Sequence, residues 1–401
     1  MCLALYILLG VALSAMTSIA QALQPNSALS ELRLSFANCA TPLFEMQEKQ
    51  LSYKVLEDRI LTMLADPDAL SSEKSFNALA LEIYRFQHEH NSIYRNLCHQ
   101  LNAGEELSDW RKIPAVPQSA FKHFALRTFS ESLTRATFRT SGTTGEGFGS
   151  HHFRSLRLYD EAILRGWDFF NLPKDLPQII LVPSPANAPH SSLSHMMGIL
   201  RVRAKSSEQH WCIDQNGTLK IDKLKALLQR FIGNKEPVLL LGTALAFLHY
   251  FEKLSDETFQ LPSGSRAMET GGYKGSGRIL SKAALYELFA KHLSLPDESV
   301  FNEYGMTELS SQFYTFGLNN AHRAPPWLRA LVIDPETGRE VKDGEIGTLR
   351  IFDLANLGSA VAIQTRDLAV QRGKSFELLG RDPAALPRGC SRTADEMLSH
   401  H

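Results

Sequence analysis

Phe138-Arg139-Thr140-Ser141-Gly142-Thr143-Thr144-Gly145-Glu146-Gly147 is the stretch on which the reading of this chain turns. From Thr140 to Gly147 it carries glycines at 142, 145 and 147 and hydroxyls at 140, 141, 143 and 144, with no bulky residue inside the loop. Glycine permits positive φ and close approach, and hydroxyls add donors without adding charge. Such a run turns many backbone N–H groups toward one point, a nest suited to an anion and above all to a phosphate. The same residues also suit a plain Ser/Gly/Thr surface loop. The rest of the chain has to separate the two.

The chain has 401 residues, which predicts one large domain with a smaller appendage. A formal net charge of −1 gives no basic excess, so no nucleic-acid partner is expected. The five cysteines, Cys2, Cys39, Cys98, Cys212 and Cys390, are odd in number and scattered. Without CxxC pairs or His/Cys clusters they predict neither a disulfide framework nor a zinc site.

Helical spacing of apolar residues predicts amphipathic helices over Leu43–Leu64 and Ser72–Cys98. Two prolines then keep Ile113-Pro114-Ala115-Val116-Pro117 extended before Phe121-Lys122-His123-Phe124. Beyond the glycine loop, Ser155–Phe170 reads as a helix and Ile179–Val182 as a buried strand. A loop is expected from His190 to Met197, and its two histidines lack the neighbours of a metal site. Leu219–Ile232 is helical, Pro237–Gly242 a buried strand, and Ala244–Lys253 a helix. Repeated strand, turn and helix predicts a mostly parallel sheet covered by helices, with ligands at the carboxyl ends of its strands. Arg266–Lys274 is a strand end opening into Gly271 and Gly272, where backbone would lie flat against a planar ring with Tyr273 as a stacking face, or simply turn. A helix from Ser281 to His292 follows. From Arg329 the pattern changes to short strands and tight turns: Ala330–Ile333, Ile346–Phe352, Ala360–Gln364 and Phe376–Leu379.

Three short segments follow the glycine loop in order: Tyr304-Gly305-Met306-Thr307-Glu308, Gln364-Thr365-Arg366-Asp367 and Gly380-Arg381-Asp382. Together with TSGTTG they resemble the adenylate-forming superfamily, which activates carboxylic acids with ATP. The resemblance implies that Thr140, Ser141, Gly142, Thr143, Thr144 and Gly145 wrap the β- and γ-phosphates. It further implies that Thr307 meets the α-phosphate, that Glu308 holds Mg²⁺, that Asp367 binds ribose hydroxyls, and that Arg381 sits at a hinge near the ribose. Gly271, Gly272 and Tyr304 join this set as nucleotide-binding positions. Such roles are physically sound, because attack of a carboxylate on a phosphate gathers anions that neutral donors and a hard cation must spread.

A narrower likeness lies in FRTSGTTGEG, ETGGYKGSGR, NEYGMTELSSQFY and the terminal RGCS. From Ile113 to Cys390 the chain resembles the acyl-protein synthetases of the LuxE type, the fatty-acid-activating component of bacterial luminescence reductases. In that family the acyl group passes from the adenylate to a cysteine near the C-terminus, a position matched by Cys390, and then to a reductase partner. Arg388 and Arg392 flank Cys390 and favour its thiolate. Twenty residues follow Arg381, so the resemblance implies absence of the C-terminal domain that carries a catalytic lysine in most adenylate-forming ligases. Lys274 and Lys122 are the candidate cations in its place.

The expectation is therefore an α/β adenylate-forming fold: a leader over 1–31, a large domain over 32–328, a β-rich subdomain over 329–380, and a hinge and tail over 381–401. The expected activity is ATP- and Mg²⁺-dependent conversion of a fatty acid to an acyl adenylate and then a thioester, with an acyl-accepting reductase or carrier protein as partner. A coenzyme A ligase of the phenylacetate-ligase type and a silent nucleotide-binding scaffold subunit are the rivals. Residues 2–20 form an uncharged apolar run, the only segment through which membrane association is expected, and Ala20-Gln21-Ala22 could be cleaved. No Lys or Arg precedes Arg33 to orient such a segment. Initiation at Met16 or an unprocessed tail, with a cytoplasmic location, is the expected reading.

Overall fold

A computed structural model describes residues 52–66, 68–140, 148–203, 209–271, 280–319 and 321–381. The chain forms two compact units, Met1–Asp58 and Arg59–His401. Of the first, only 52–58 are described, and they are helical. Everything that follows concerns the second.

The helical span expected from Ser72 to Cys98 is two helices, Glu73–His90 and Ser92–Gln100. Ser72 caps the first by accepting from the Ser75 amide. Asn91 breaks the run: it is extended (φ −118°, ψ 98°), and its side chain accepts from the Tyr94 amide to start the second helix. The chain then crosses as a two-residue strand, β1 (Val116–Pro117).

Next comes a hairpin that periodicity alone does not reveal, β2 (Ala136–Arg139) with β3 (Ser150–Phe153), registered Phe138 to His151 and Arg139 to Ser150. In sequence, the glycine loop is the connection between these two strands. The strands β4 (Gln178–Leu181), β5 (Gln209–Trp211), β6 (Leu239–Thr243), β7 (Arg266–Thr270), β8 (Val300–Tyr304) and β9 (Phe313–Phe316) form one sheet in the order β5-β4-β6-β7-β8-β9. All pairs are parallel except β8 with β9. Strands β4 and most of β6 are buried on both faces, as continuous apolar runs require. On one face Ile179, Leu240 and Ala267 pack under helices Ile221–Asn234, Ala244–Leu254 and Lys282–Leu293. On the other, Ile180, Leu241 and Met268 pack under helix Arg157–Phe169, the hairpin and a helix Ser192–Arg203. That last helix replaces much of the loop expected over His190–Met197. Its start is fixed by the Ser191 hydroxyl, which accepts from the Ser194 amide.

The remaining strands, β10 (Ala321–His322), β11 (Leu328–Ile333), β12 (Ile346–Asp353), β13 (Ala362–Arg372) and β14 (Ser375–Arg381), form an antiparallel sheet in the order β10-β14-β13-β12-β11. Strand β1, from far upstream, adds parallel to β13. The helix Glu73–His90 is tied to this sheet through the connection from β12 to β13. The buried Gln87 amide donates to Asn356 O at 2.8 Å, and its carbonyl accepts from the Val361 amide at 2.8 Å.

The same connection grips the turn after β8. The Asp353 carboxylate, fully buried, accepts from the Ser310 and Ser311 amides at 2.8 Å each and from the Ser311 hydroxyl at 2.7 Å. Asn356 donates to Glu308 O at 2.9 Å. From the hairpin, His151 Nδ1 donates to Thr307 O at 2.9 Å, and its Nε2 lies 3.0 Å from Ser359 Oγ. Residues 307–311 are thus pinned by two separate elements, the β12–β13 connection and the hairpin.

Burial pushes the His151 imidazole down to about 4, so the folded state holds it neutral. Between pH about 6.5 and about 4 the unfolded chain takes up a proton there that the native chain refuses. This group alone therefore withdraws stability as pH falls through that window, by an amount on the order of 3 kcal/mol. His151→Gln cannot titrate. Urea unfolding at pH 7 and pH 4.5 should show a smaller acid-induced loss in the variant than in the wild type, and equal losses would contradict a neutral buried imidazole.

Candidate active site

At the carboxyl end of β8 the sequence Tyr304-Gly305-Met306-Thr307-Glu308 leaves the parallel sheet and meets the antiparallel one. The Tyr304 hydroxyl donates to Asp367 Oδ2 at 2.8 Å, joining the aromatic of the first segment to the carboxylate of β13. Tyr304 is itself wedged among Phe313, His322 and Phe376. Glu308 is 3% exposed, and its Oε1 accepts from Gln118 Nε2 at 3.1 Å. Gln118 is placed by β1: its amide donates to Gln364 O at 2.9 Å, one step beyond the register pair of Pro117 with Gln364. The extended, proline-bounded segment thus carries a side chain from the antiparallel sheet onto the carboxylate.

The Thr307 hydroxyl lies 3.5 Å from Ser192 Oγ, at the first turn of helix Ser192–Arg203. That helix is moored to the hairpin, since the Arg139 amide donates to His190 O at 2.8 Å and His190 Nδ1 donates to Thr137 O at 2.9 Å. Thr140 closes the hairpin. Its amide donates to Gly149 O, and its hydroxyl accepts from the Gly149 amide, both at 2.9 Å. A Cβ on Gly149 would stand 3.1 Å from Thr140 Cγ2 and 3.6 Å from Lys122 Cγ. Only hydrogen fits comfortably there, and the Lys122 chain runs past the base of the loop.

Ser141–Gly145, Gly272, Lys274 and Cys390 lie outside the described residues. Gly271 closes β7 at φ +70°, a left-handed conformation that favours glycine. Arg381 ends β14 with its backbone in register opposite Asp367. The structure thus brings together Thr307, Glu308, Tyr304, Asp367, the base of the glycine loop and the start of the tail.

Gln118, His151, Ser192 and Asn356 escape the motif reading. The only sequence signal for them is proximity: Gln118 follows the two prolines, and His151 alternates with the buried Phe153 in a short strand. Two further carboxyls are also buried, Glu269 on β7 and Glu303 on β8, and desolvation raises each to about 7. Glu269 accepts from Asn302 at 2.8 Å and from Tyr286 at 3.3 Å. Glu303 accepts from the Thr270 hydroxyl, and a Cβ on Gly305 would collide with its carboxyl, which accounts for glycine there.

Among the described residues no group of three or more His, Cys, Asp or Glu is placed to hold a metal ion. The buried Glu308 carboxylate is a hard oxygen donor, and it fits Mg²⁺ of the kind held by one carboxylate together with substrate phosphates. No helix among them is long and apolar enough to cross a membrane; residues 2–20 lie outside them.

Comparison with known proteins matches residues 44–399 to the family model of the LuxE acyl-protein synthetases. The long-chain-fatty-acid–luciferin-component ligase of Aliivibrio fischeri is 24% identical over 334 residues, covering 78% of this chain and 86% of that protein. Its counterpart from Vibrio harveyi is 21% identical over 367 residues, covering 86% and 94%. Among solved structures, 2-hydroxyisobutyryl-CoA ligase in its postadenylation state superposes with a TM-score of 0.57 at 16% identity, covering 77% of this chain and 67% of that one. ATP-bound MatB from Rhodopseudomonas palustris gives 0.47 at 17% identity over 70% of this chain, which spans about half (51%) of that protein's length. The α/β architecture is that of the adenylate-forming enzymes. With nine-tenths of its length inside one family model, the chain belongs to the LuxE acyl-protein synthetase family.

Proposed function

We propose that this chain activates a long-chain fatty acid with ATP and carries the acyl group on Cys390 as a thioester. The observation that supports this most is the junction at the end of β8, where Thr307 and Glu308 of one hydrogen-bonded turn follow the Tyr304–Asp367 pair that links β8 to β13. The relatives named as long-chain-fatty-acid ligases motivate the class of acid.

In the first half-reaction a carboxylate oxygen of the acid attacks the α-phosphorus of ATP, and the bond to the leaving pyrophosphate breaks. Thr307 offers a hydroxyl to the α-phosphate, and the glycine loop offers backbone amides to the others. Bound at Glu308, Mg²⁺ would offset charge on the phosphate oxygens. Asp367, oriented by Tyr304, accepts from ribose hydroxyls. Lys122, whose side chain passes Gly149 at the base of the loop, and Lys274 are the candidate cations that help pyrophosphate leave.

In the second half-reaction the Cys390 thiolate attacks the acyl carbon and AMP departs, while the thiol proton goes to solvent. Cys390 is nine residues beyond Arg381, a reach of up to about 30 Å in extended chain. Because Arg381 stands opposite Asp367, the tail starts beside the proposed ribose site. A cytoplasmic location is the corollary of the need for ATP.

Glu308→Gln should lower Mg·ATP-dependent pyrophosphate exchange by roughly a hundredfold or more while leaving the melting temperature near wild type, since one hard ligand is lost. Wild-type exchange in that variant would remove Glu308 from the metal.

Lys122→Ala should lower kcat for exchange by roughly tenfold to a hundredfold with Lys122→Arg intermediate, as expected for one cation aimed at a leaving group. An unchanged kcat would return the question to Lys274.

Cys390→Ser should retain exchange but lose hydroxylamine-labile label from a radioactive fatty acid and ATP. If the wild type never retains label, and label instead appears on added coenzyme A, the chain is an acyl-CoA ligase.

A further inference from the structure

His322 stands where the two sheets meet and takes no step in the chemistry proposed above. It is buried on β10, in register with Phe376 of β14. Its ring lies nearly parallel to that of Phe376, 11° off plane with 5.2 Å between centroids. From there it reaches the parallel sheet, since its Nε2 lies 2.7 Å from Asn302 Oδ1 on β8.

The partners decide which atom carries the proton. Asn302 Nδ2 donates to Glu269 Oε1 at 2.8 Å and to the Glu269 backbone oxygen at 3.3 Å, and a backbone oxygen can only accept. The Oδ1 is therefore the end turned to His322, and Nε2 donates to it. Glu269 is held in turn by the Tyr286 hydroxyl, which donates at 3.3 Å. A line of hydrogen bonds thus runs from helix Lys282–Leu293 through β7 and β8 to the imidazole. Buried polar groups joined in this way keep one arrangement, because any other leaves some of them unpaired.

What the line supports is Tyr304. Asn302 and Tyr304 are two residues apart on β8 and share a face. The Tyr304 ring meets the His322 ring edge-on at 5.9 Å and 68°, meets Phe376 at 5.6 Å and 77°, and has Phe313 at 6.0 Å. The two phenylalanines hold it by packing alone. His322 adds a ring whose plane is tied to the parallel sheet by a hydrogen bond. The hydroxyl at the end of the Tyr304 ring donates to Asp367 Oδ2 at 2.8 Å, which fixes one of the two oxygens of that carboxylate.

We propose, resting on the assignment of Asp367 to ribose made above, that His322 is a positioning residue for the nucleotide. Anchored through Asn302 to Glu269, it holds the Tyr304 ring so that Asp367 presents its carboxylate to the ribose hydroxyls of ATP.

Two nucleotides that differ by one hydroxyl test this, in pyrophosphate exchange by the full chain with ATP or 2′-deoxy-ATP and palmitate. The wild type should prefer ATP in kcat/KM by roughly tenfold or more, as a site built to bond a hydroxyl does. Asp367→Asn should bring that preference within about threefold of none, since the charged acceptor is lost. His322→Ala should do likewise, raising KM for ATP roughly tenfold while moving kcat and the KM for palmitate by less than about threefold, the split of a lost nucleotide contact rather than of a loosened fold. His322→Phe, which keeps a ring against Tyr304 but cannot bond to Asn302, should fall between, and it carries the test if His322→Ala does not fold. Wild-type preference in either His322 variant, alongside its loss in Asp367→Asn, would overturn the proposal alone. No preference in the wild type, or one that survives Asp367→Asn, would remove Asp367 from the ribose and the proposal with it.

Discussion

The connection between β12 and β13 is the constraint on which the rest of the structure depends. Asp353, Asn356 and Ser359 face the turn after β8 and the hairpin, while backbone groups of the same connection bind Gln87 and Asn91 of the N-terminal helices. Burying a carboxylate is costly, and burial raises the Asp353 pKa against the lowering effect of its donors. Such a group persists only where its hydrogen bonds are nearly complete, and each partner it has here belongs to the turn or to its own loop. Two sheets are thereby locked at one place, the place where the motif residues gather.

Much of this was legible in the chain. Apolar runs marked β4 and β6, and helical spacing marked the layers that cover them, because both signals arise from burial of whole faces. The order of the four motif segments indicated the superfamily, and the family model spans the same region. What stayed hidden has a common cause. The hairpin strands Ala136–Arg139 and Ser150–Phe153 are four residues each and interrupted by polar side chains, too short for alternation to show. Gln118, His151 and Asn356 matter through partners 150 or more residues away, or within a loop without periodicity. The start of the helix Ser192–Arg203, up to Met197, reads as a loop because serines and histidines crowd that segment, where Ser191 caps the helix and His190 anchors it to the hairpin.

The electrostatics of the parallel sheet carry a separate message. Glu269 and Glu303 stand on neighbouring strands, both desolvated, and each raises the energy of ionising the other, as the effect of Glu269 on Glu303 shows. Near neutral pH the pair carries less than its formal charge. That matters at the end of a sheet proposed above to receive a polyanion, since two full negative charges there would oppose it. Gly305 fits the same picture: a side chain would displace the Glu303 carboxyl from its bond with Thr270.

The two-residue strand β1 and the Gln87 side chain have a further consequence, in time rather than in space. Gln87 meets Val361 across 274 residues of sequence, and β1 likewise pairs with a strand more than two hundred residues downstream. During synthesis the helices around Gln87 emerge first and stand without their sheet until most of the chain has left the ribosome. Their apolar faces wait, exposed, while the 274 residues from Gln87 to Val361 are made. The antiparallel sheet is thus the last piece to close, and until it does those early helices depend on shielding from other chains.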